Sequence, residues 1–133
     1  MRWIYHLTFA DTPVPARYAP ASLAAEGFVH GSYRDAARES ARLYFPADRA
    51  LVAWQIDPRC LDVPVVVADT PRGPMPHIHG AIPAGAVRAV LPLDAIDGAP
   101  DEITAEEITA RDATAAPPTT ESPGDAPPPG PTG

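Results

Sequence analysis

The 133-residue chain carries 17 acidic and 10 basic side chains, giving a formal net charge of −7, and 45% of its residues are hydrophobic. This length has room for one domain. The single cysteine, Cys60, excludes an internal disulfide. No apolar run approaches the ~20 residues of a membrane-spanning helix. The N-terminal sequence MRWIYHLTF lacks the features of a secretory signal. We therefore expect a cytoplasmic protein without a membrane partner.

The charge is unevenly distributed along the chain. Residues 1–94 contain nine acidic and nine basic side chains, whereas residues 95–133 contain eight acidic residues and only Arg111. The second segment also holds eight prolines, and it has no Leu, Ile, Val or aromatic residue beyond Ile108. Such a composition buries too little apolar surface to offset the entropy of ordering. We expect a globular domain at 1–94 and a disordered acidic, proline-rich tail at 95–133.

The first elements of the domain are a strand, a short helix and a second strand. Arg2–Thr8 alternates apolar and mixed side chains, which is typical of a half-buried strand. A helical turn at Ser22–Ala25 should end at Gly27, and a brief strand should follow at Phe28–His30. These elements place two histidines, His6 and His30, on strands.

One main helix and three further strands complete the predicted domain. Ser32 is expected to cap a helix that runs from Tyr33 to Tyr44 and ends before Pro46. Ala36, Ser40, Leu43 and Tyr44 should lie near one face of this helix. The strands are expected at 50–57, which is apolar on both faces and therefore central, at 63–69 and at 85–93. This pattern, without regular βαβ alternation, predicts an α+β fold of short mixed or antiparallel strands.

The segment GPMPHIHGAIP, residues 73–83, contains half of the histidines of the chain. If the segment is extended, His77 and His79 point to the same side. Each of the four histidines alone could be a hydrogen-bonded core residue or an ordinary surface group. All four lie in or beside predicted strands and within two residues of Gly, Ser, Thr or Pro, which favours a shared site formed by His6, His30, His77 and His79.

Several familiar chemistries are excluded by the missing motifs. The chain has no dinucleotide-binding G-x-G-x-x-G after a strand, no phosphate-binding G-x-x-x-x-G-K-[ST], no H-E-x-x-H and no G-x-S-x-G. The domain is formally neutral and has no lysine. It therefore lacks the basic surface that nucleic-acid binding requires, and DNA is an unlikely partner.

Five segments in a fixed order resemble one protein family. YHLT, SLAAEGFVHGS, a helix, LVAWQIDP and PHIHG, spanning residues 2–94, look like the family called domain of unknown function 952. The typical family patterns are F-[IV]-H-C-S and F-P-H-L-Y-G. This chain has Gly31 where cysteine is usual, Met75 where phenylalanine is usual and His79 where tyrosine is usual. The family is grouped by fold with ADP-ribosyltransferases, so the resemblance implies a small ADP-ribosyltransferase-like domain.

EGFVHGSYRDAARESARLYF is also similar in layout to poly-ADP-ribose polymerase-like domains. That similarity implies that His6 holds a ribose hydroxyl and that His30 stacks on nicotinamide. The third group in those enzymes is usually a glutamate on a later strand, but here no glutamate lies between Glu39 and Glu102. The PHIHG segment or, less favourably, Asp69 would have to take its place.

Together these features predict binding of NAD or an ADP-ribosyl-type small-molecule nucleotide in a histidine-lined cleft, with slow transfer or hydrolysis as a further expectation. His6, His30 and His77 are the candidate catalytic residues. His79, Ser22, Ser32 and Gly80 are the candidate ligand-binding residues. A non-catalytic nucleotide- or protein-binding module is one alternative, and a histidine metal site is another. No metal is expected, because metal sites usually recruit a carboxylate or thiolate as well.

Overall fold

The computed structural model describes residues 1–104, of which Met1–Asp101 form one compact unit. A second unit begins at Glu102, and only its residues 102–104 are described. Most of the predicted disordered tail therefore lies outside the described residues. The elements are β1 (Ile4–Phe9), β2 (Arg17–Tyr18), α1 (Ala21–Glu26), β3 (Val29–His30), α2 (Arg34–Tyr44), β4 (Leu51–Ile56), β5 (Val65–Thr70), β6 (Gly73–Ile78), β7 (Ile82–Pro83) and β8 (Val87–Pro92), with 3₁₀ helices at Pro58–Cys60, Ala84–Ala86 and Leu93–Gly98.

The first sheet has the antiparallel order β1-β4-β8. The prediction that the strand at 50–57 is central is confirmed, because β4 pairs with β1 on one side and β8 on the other. The prediction of a half-buried first strand is wrong. The residues of β1 from Ile4 to Thr8 are all buried, because β1 contacts α2 while its Ile4 joins the hydrophobic core.

The second sheet has the antiparallel order β3-β6-β5 and contains the histidine segment as its central strand. Pro74 and Pro76 lie within β6, although proline removes a hydrogen-bond donor from a sheet. The Pro76 carbonyl accepts from the Gly31 N–H at 3.0 Å, so the ring nitrogen of Pro76 faces the β3 side as well. The N–H group that Pro76 lacks would therefore have pointed toward the two-residue strand β3. The hydrogen bonds between β6 and β5 do not need it.

The third sheet pairs the two-residue strands β2 and β7. Ile82 of β7 belongs to the main core, and Tyr18 of β2 packs against that core. The core combines fully buried side chains from all three sheets. Its members are Ile4, Val29, Trp54, Ile56, Ile78, Ile82 and Ala86.

The short helix α1 ends as predicted, because Gly27 follows it in the left-handed conformation with φ 88°. The predicted cap of α2 is wrong. Tyr33 precedes the helix without a side-chain cap, because Ser32 forms an isolated β-bridge with Tyr5 and its hydroxyl donates to Ser40. The buried face contains the small residues Ala37, Ser40 and Ala41, whereas Leu43 and Tyr44 are exposed.

The segment that follows β8 also packs on the folded unit. Ile96, in the last 3₁₀ helix, is fully buried, Arg38 of α2 pairs with Asp97 at 2.9 Å, and Arg2 pairs with Asp101 at 2.9 Å. The folded unit thus extends past residue 94, where composition placed the boundary, to Asp101. None of the helices in residues 1–104 is long and apolar enough to cross a membrane. The predicted α+β class, with short antiparallel strands and few helices, is confirmed.

Candidate functional site

Three histidines surround Phe28 on the outward face of the second sheet. His30 of β3 lies directly opposite His77 of β6 in the register of the two strands. Phe28 is two residues from His30, and His79 is two residues from His77, so the pleat sends all four side chains to the same side. We call Phe28, His30, His77 and His79 the imidazole cluster.

The rings of the imidazole cluster are in contact. His77 stacks on Phe28 with a centroid distance of 4.0 Å and an interplanar angle of 10°. The His30 ring meets the Phe28 ring edge-on at 4.9 Å, and the His79 ring lies 5.6 Å away at 44°. His30 and His77 are 5.9 Å apart. Phe28 is thus the common centre of the three imidazoles.

The cluster combines exposed and partly buried imidazoles with one carboxylate. The His30 side chain is 57% exposed, and its Nε2 lies 3.1 Å from Oε1 of Glu26. Glu26 is the last residue of α1 and precedes His30 by four residues. His77 is half-buried. Burial lowers the pKa of His77, and the neighbouring His30 and His79 lower it further, while Glu26 opposes the shift. Positive charge on the His77 ring is therefore disfavoured.

His6 lies apart from these rings, in the interior. It is 7% exposed, and its ring packs against Tyr18 and Trp54 at centroid distances of 5.1 and 5.5 Å. Burial lowers the pKa of His6 to about 4, although a hydrogen bond to the His30 backbone partly opposes the shift. The ring is therefore neutral at pH 7.

Both nitrogens of His6 already have protein partners. Nδ1 lies 2.7 Å from the His30 carbonyl oxygen, which can only accept, so Nδ1 carries the proton. Nε2 consequently accepts from the Tyr18 hydroxyl at 2.9 Å. Within the fold His6 thus fixes the backbone of His30 and is linked to the imidazole cluster through that carbonyl alone.

The hydrogen-bonded chain continues beyond Tyr18 toward the surface. Thr8 bonds the Tyr18 oxygen and lowers the pKa of the phenol, although burial raises it more. The Thr8 and Thr12 hydroxyls are 3.1 Å apart. Since Tyr18 donates to His6, it accepts from Thr8, and Thr8 accepts in turn from Thr12. All donors in this chain point toward His30, an alignment that strengthens each bond.

The remaining predicted site residues lie outside the imidazole cluster. Ser32 is buried and donates to Ser40 at 3.2 Å. Gly80 lies so close to Val63 that an added Cβ would be 2.3 Å from Cγ1 of that side chain. Ser22 is the second residue of α1, and within residues 1–104 no hydrogen bond joins it to the imidazole cluster.

Phe28, Glu26 and Tyr18 are the members of this region that sequence reasoning did not select. Phe28 lies two residues before His30, so the alternation of a strand would have placed both side chains on one side. Glu26 lies four residues before His30, at the end of α1, and this short separation was its signal. Tyr18 lies on a strand of only two residues, which produces no alternation that could be read from the sequence.

No group of three or more His, Cys, Asp and Glu side chains within residues 1–104 is placed to hold a metal ion. In the imidazole cluster the Phe28 ring lies among the three imidazoles, which keeps their nitrogens from converging on one point. A separate shallow pocket at the end of α2 is lined by Arg38, Arg42 and Arg49. Each of these arginines has a carboxylate partner within 4 Å.

Comparison with known proteins gives the family and the fold. Residues 9–90 match the family model described as protein of unknown function (DUF952). The crystal structure of protein CC0527 from Caulobacter crescentus is similar with a TM-score of 0.59 and 20% identity, over 68% of this chain and 84% of that chain. A double mutant of the same protein is similar with a TM-score of 0.51 and 22% identity over the same shares. No curated protein matches the sequence. Since the family model covers more than half of the sequence, the chain belongs to the DUF952 family.

Proposed function

We propose that the chain is an ADP-ribosyltransferase-like domain that binds NAD or an ADP-ribosyl-type nucleotide at the imidazole cluster. The observation that carries the proposal is the stacked pair of Phe28 and His77, 4.0 Å apart, with two further imidazoles beside it. Aromatic groups prefer offset-stacked or edge-on partners. A nicotinamide or adenine ring is a flat partner of this kind.

The polar groups of the cluster suit the rest of such a ligand. Neutral imidazoles donate through one nitrogen and accept through the other, as a ribose with vicinal hydroxyls requires. The carboxylate of Glu26 binds His30 Nε2 at 3.1 Å. When Nε2 carries the proton, His30 Nδ1 is free to accept a proton from a ligand hydroxyl.

Glu26 also bears on the glutamate that the resemblance requires and that the later strands lack. Cleavage of a nicotinamide–ribose bond passes through an oxocarbenium-like state, which a nearby carboxylate stabilises. Glu26 lies in α1 and its side chain is 50% exposed, so its charge is screened by water. This arrangement favours binding with slow transfer or hydrolysis over rapid turnover.

The two alternative functions are weighed by the same geometry. A non-catalytic nucleotide-binding module uses the same contacts and differs only in the absence of turnover. A histidine metal site has no supporting geometry among residues 1–104, because the imidazoles surround a phenyl ring.

Isothermal titration with NAD, ADP-ribose and nicotinamide tests the proposal. Phe28→Leu keeps an apolar side chain but removes the stacking face, so it should weaken binding about tenfold, since aromatic pairs contribute ~0.5–1.5 kcal/mol. Tyr44→Leu is the matched control, because Tyr44 is a 69% exposed aromatic residue on α2. Wild-type protein that gives no heat with any of the three ligands at millimolar concentration would disprove the proposal.

A further inference from the structure

The imidazole cluster concentrates proton-accepting groups on one surface with a single counter-charge. His30, His77 and His79 come from neighbouring positions of β3 and β6 and from the residue after β6. Glu26 of α1 is the carboxylate that acts on this group. Three protonated imidazoles against one carboxylate leave two positive charges uncompensated.

The neighbouring strand adds no charge to this surface. In the register of β5 and β6 the residue opposite His77 is Val66, whose side chain is 51% exposed. The groups that act electrostatically on His77 are His30, His79 and Glu26, from β3, the end of β6 and α1. Within residues 1–104, the groups that act on His77 thus leave positive charge of the protonated cluster unmatched, and an external anion can compensate it.

We propose that the imidazole cluster is a binding site for an oxyanion group with two negative charges, and that it takes up protons when this group binds. A phosphate monoester and the diphosphate bridge of a dinucleotide both have this chemistry. The inference rests on the proposed function for the role of the cluster in ligand binding, and it names the part of the ligand that the imidazoles recognise.

The contacts of the cluster explain why an anion and protons bind together. The centroids of His30 and His77 are 5.9 Å apart, so protonating one ring disfavours protonating the other. An anion beside the rings offsets this repulsion, and its several oxygens can accept charge-assisted hydrogen bonds from imidazole nitrogens that do not converge on one point. Because linkage is reciprocal, protons that bind more tightly with the anion present also tighten the anion.

Sulfate is the probe of choice, because it stays dianionic across the pH range and any pH dependence comes from the protein. Sulfate is titrated into the full chain at about pH 5.5 and about pH 8, at constant ionic strength set with chloride, and the chemical shifts of the histidines are followed by NMR. We expect binding on the order of tenfold tighter at the lower pH, with shifts confined to His30, His77 and His79. Equal affinity at the two pH values would overturn the inference.

Two substitutions should move the affinity in opposite directions. His79→Gln removes one charge from the cluster and should weaken sulfate binding at the lower pH by about three- to tenfold. Glu26→Gln removes the counter-charge and should strengthen binding by a similar factor. Arg88→Gln is the matched control, because Arg88 is exposed on β8 in the other sheet, and removing its charge should change little. A similar loss in Arg88→Gln and His79→Gln would mean that only the overall charge matters.

Parallel titrations separate this inference from the proposed function and identify the source of the anion. Tighter binding of a nucleoside monophosphate than of inorganic phosphate would assign the site to a phosphate ester, whereas equal binding would assign it to free phosphate. NAD binding without a pH-dependent sulfate response would overturn the anion site and leave the proposed function standing. Sulfate binding that tightens at the lower pH, without any binding of NAD, would overturn the proposed function and leave the anion site standing.

Discussion

Two sheets of this small fold use histidine in opposite ways, and a hydrogen bond from His6 to the His30 carbonyl joins the two groups. In the β1-β4-β8 sheet His6 is buried, and both of its nitrogens have partners inside the protein. In the β3-β6-β5 sheet His30 and His79 are exposed and His77 is half-buried around Phe28. The His30 carbonyl accepts from His6, while the His30 ring lies in the cluster.

This difference separates one buried imidazole from three exposed or half-buried imidazoles in a chain where all four histidines looked alike. A buried neutral ring with a fixed tautomer serves as a hydrogen-bonding spacer and exchanges nothing with solvent. The rings around Phe28 are exposed or half-buried, and burial together with the neighbouring His30 and His79 lowers the pKa of His77. The predictions below test whether the two roles are as separate as the contacts indicate.

The largest effect is expected from truncating His6. His6→Ala leaves the His30 carbonyl and the Tyr18 hydroxyl without their partner and opens a cavity beside Trp54. We expect a loss of about 4 kcal/mol in the free energy of unfolding. His79→Ala, at an exposed position, should cost about 0.5 kcal/mol or less. Urea unfolding of both variants measures the two losses. Equal losses in the free energy of unfolding would refute the view that His6 supports the fold while His79 does not.

The pH dependence of stability should also come from His6. Its pKa is about 4 in the folded protein and 6.5 as the ordinary value, so the unfolded chain takes up this proton first as the pH falls. The stability contributed by neutral His6 is therefore complete above pH 6.5 and is lost between about 6.5 and 4, by roughly 3 kcal/mol.

Urea unfolding at pH 7 and at about pH 4.5 measures this slope. His6→Gln keeps hydrogen-bonding groups at the position but does not titrate there, so its unfolding free energy should change less between the two pH values. A wild-type slope that persists unchanged in His6→Gln would show that other groups are responsible.

Gly31 lies where the two sheets approach each other, and the family pattern has cysteine there. A Cβ at Gly31 would lie 2.8 Å from Cγ2 of Ile4 and 2.9 Å from the backbone oxygen of Pro76. Gly31→Cys should therefore lower the free energy of unfolding by about 2 kcal/mol. Gly85→Ala is the control, since a Cβ at Gly85 meets no atom within 4 Å. An unchanged stability in Gly31→Cys would mean that β1 and β6 separate without cost.

Local patterns predicted much of the fold, and long-range pairing accounts for what they missed. The apolar run in β4 and the glycine stop after α1 depend on neighbouring residues, and both predictions were confirmed. The predicted cap of α2 was wrong because Ser32 forms a bridge with Tyr5, a long-range pairing that no local pattern shows, and the buried face of the helix consists of small residues. Ala37 and Ala41 face inward, so a close approach of the helix matters more there than the bulk of Leu43.

The candidate site divides in the same manner. The spacing of His77 and His79 was sufficient to place both rings on one side of an extended chain. That His30 would lie opposite His77 depends on the register of β3 against β6, and no local pattern fixes a register between strands more than forty residues apart. The separation of His6 depends on Tyr18, whose two-residue strand leaves no signal in the sequence.

The smallest effect is expected from His79→Tyr, which introduces the residue usual in the family. The His79 ring lies 5.6 Å from Phe28 at an angle of 44°, and a phenol ring offers the same kind of flat face. Stability and NAD affinity should therefore change by about 0.5 kcal/mol or less.

The pH-dependent tightening of sulfate binding should nevertheless decrease in His79→Tyr, because tyrosine brings no positive charge at pH 5.5–8. One substitution thus separates the stacking role of the cluster from its charge, and the two readouts are calorimetry with NAD and with sulfate. Loss of NAD binding with an intact sulfate response would mean that the imidazole nitrogens, and not the rings, hold the nucleotide.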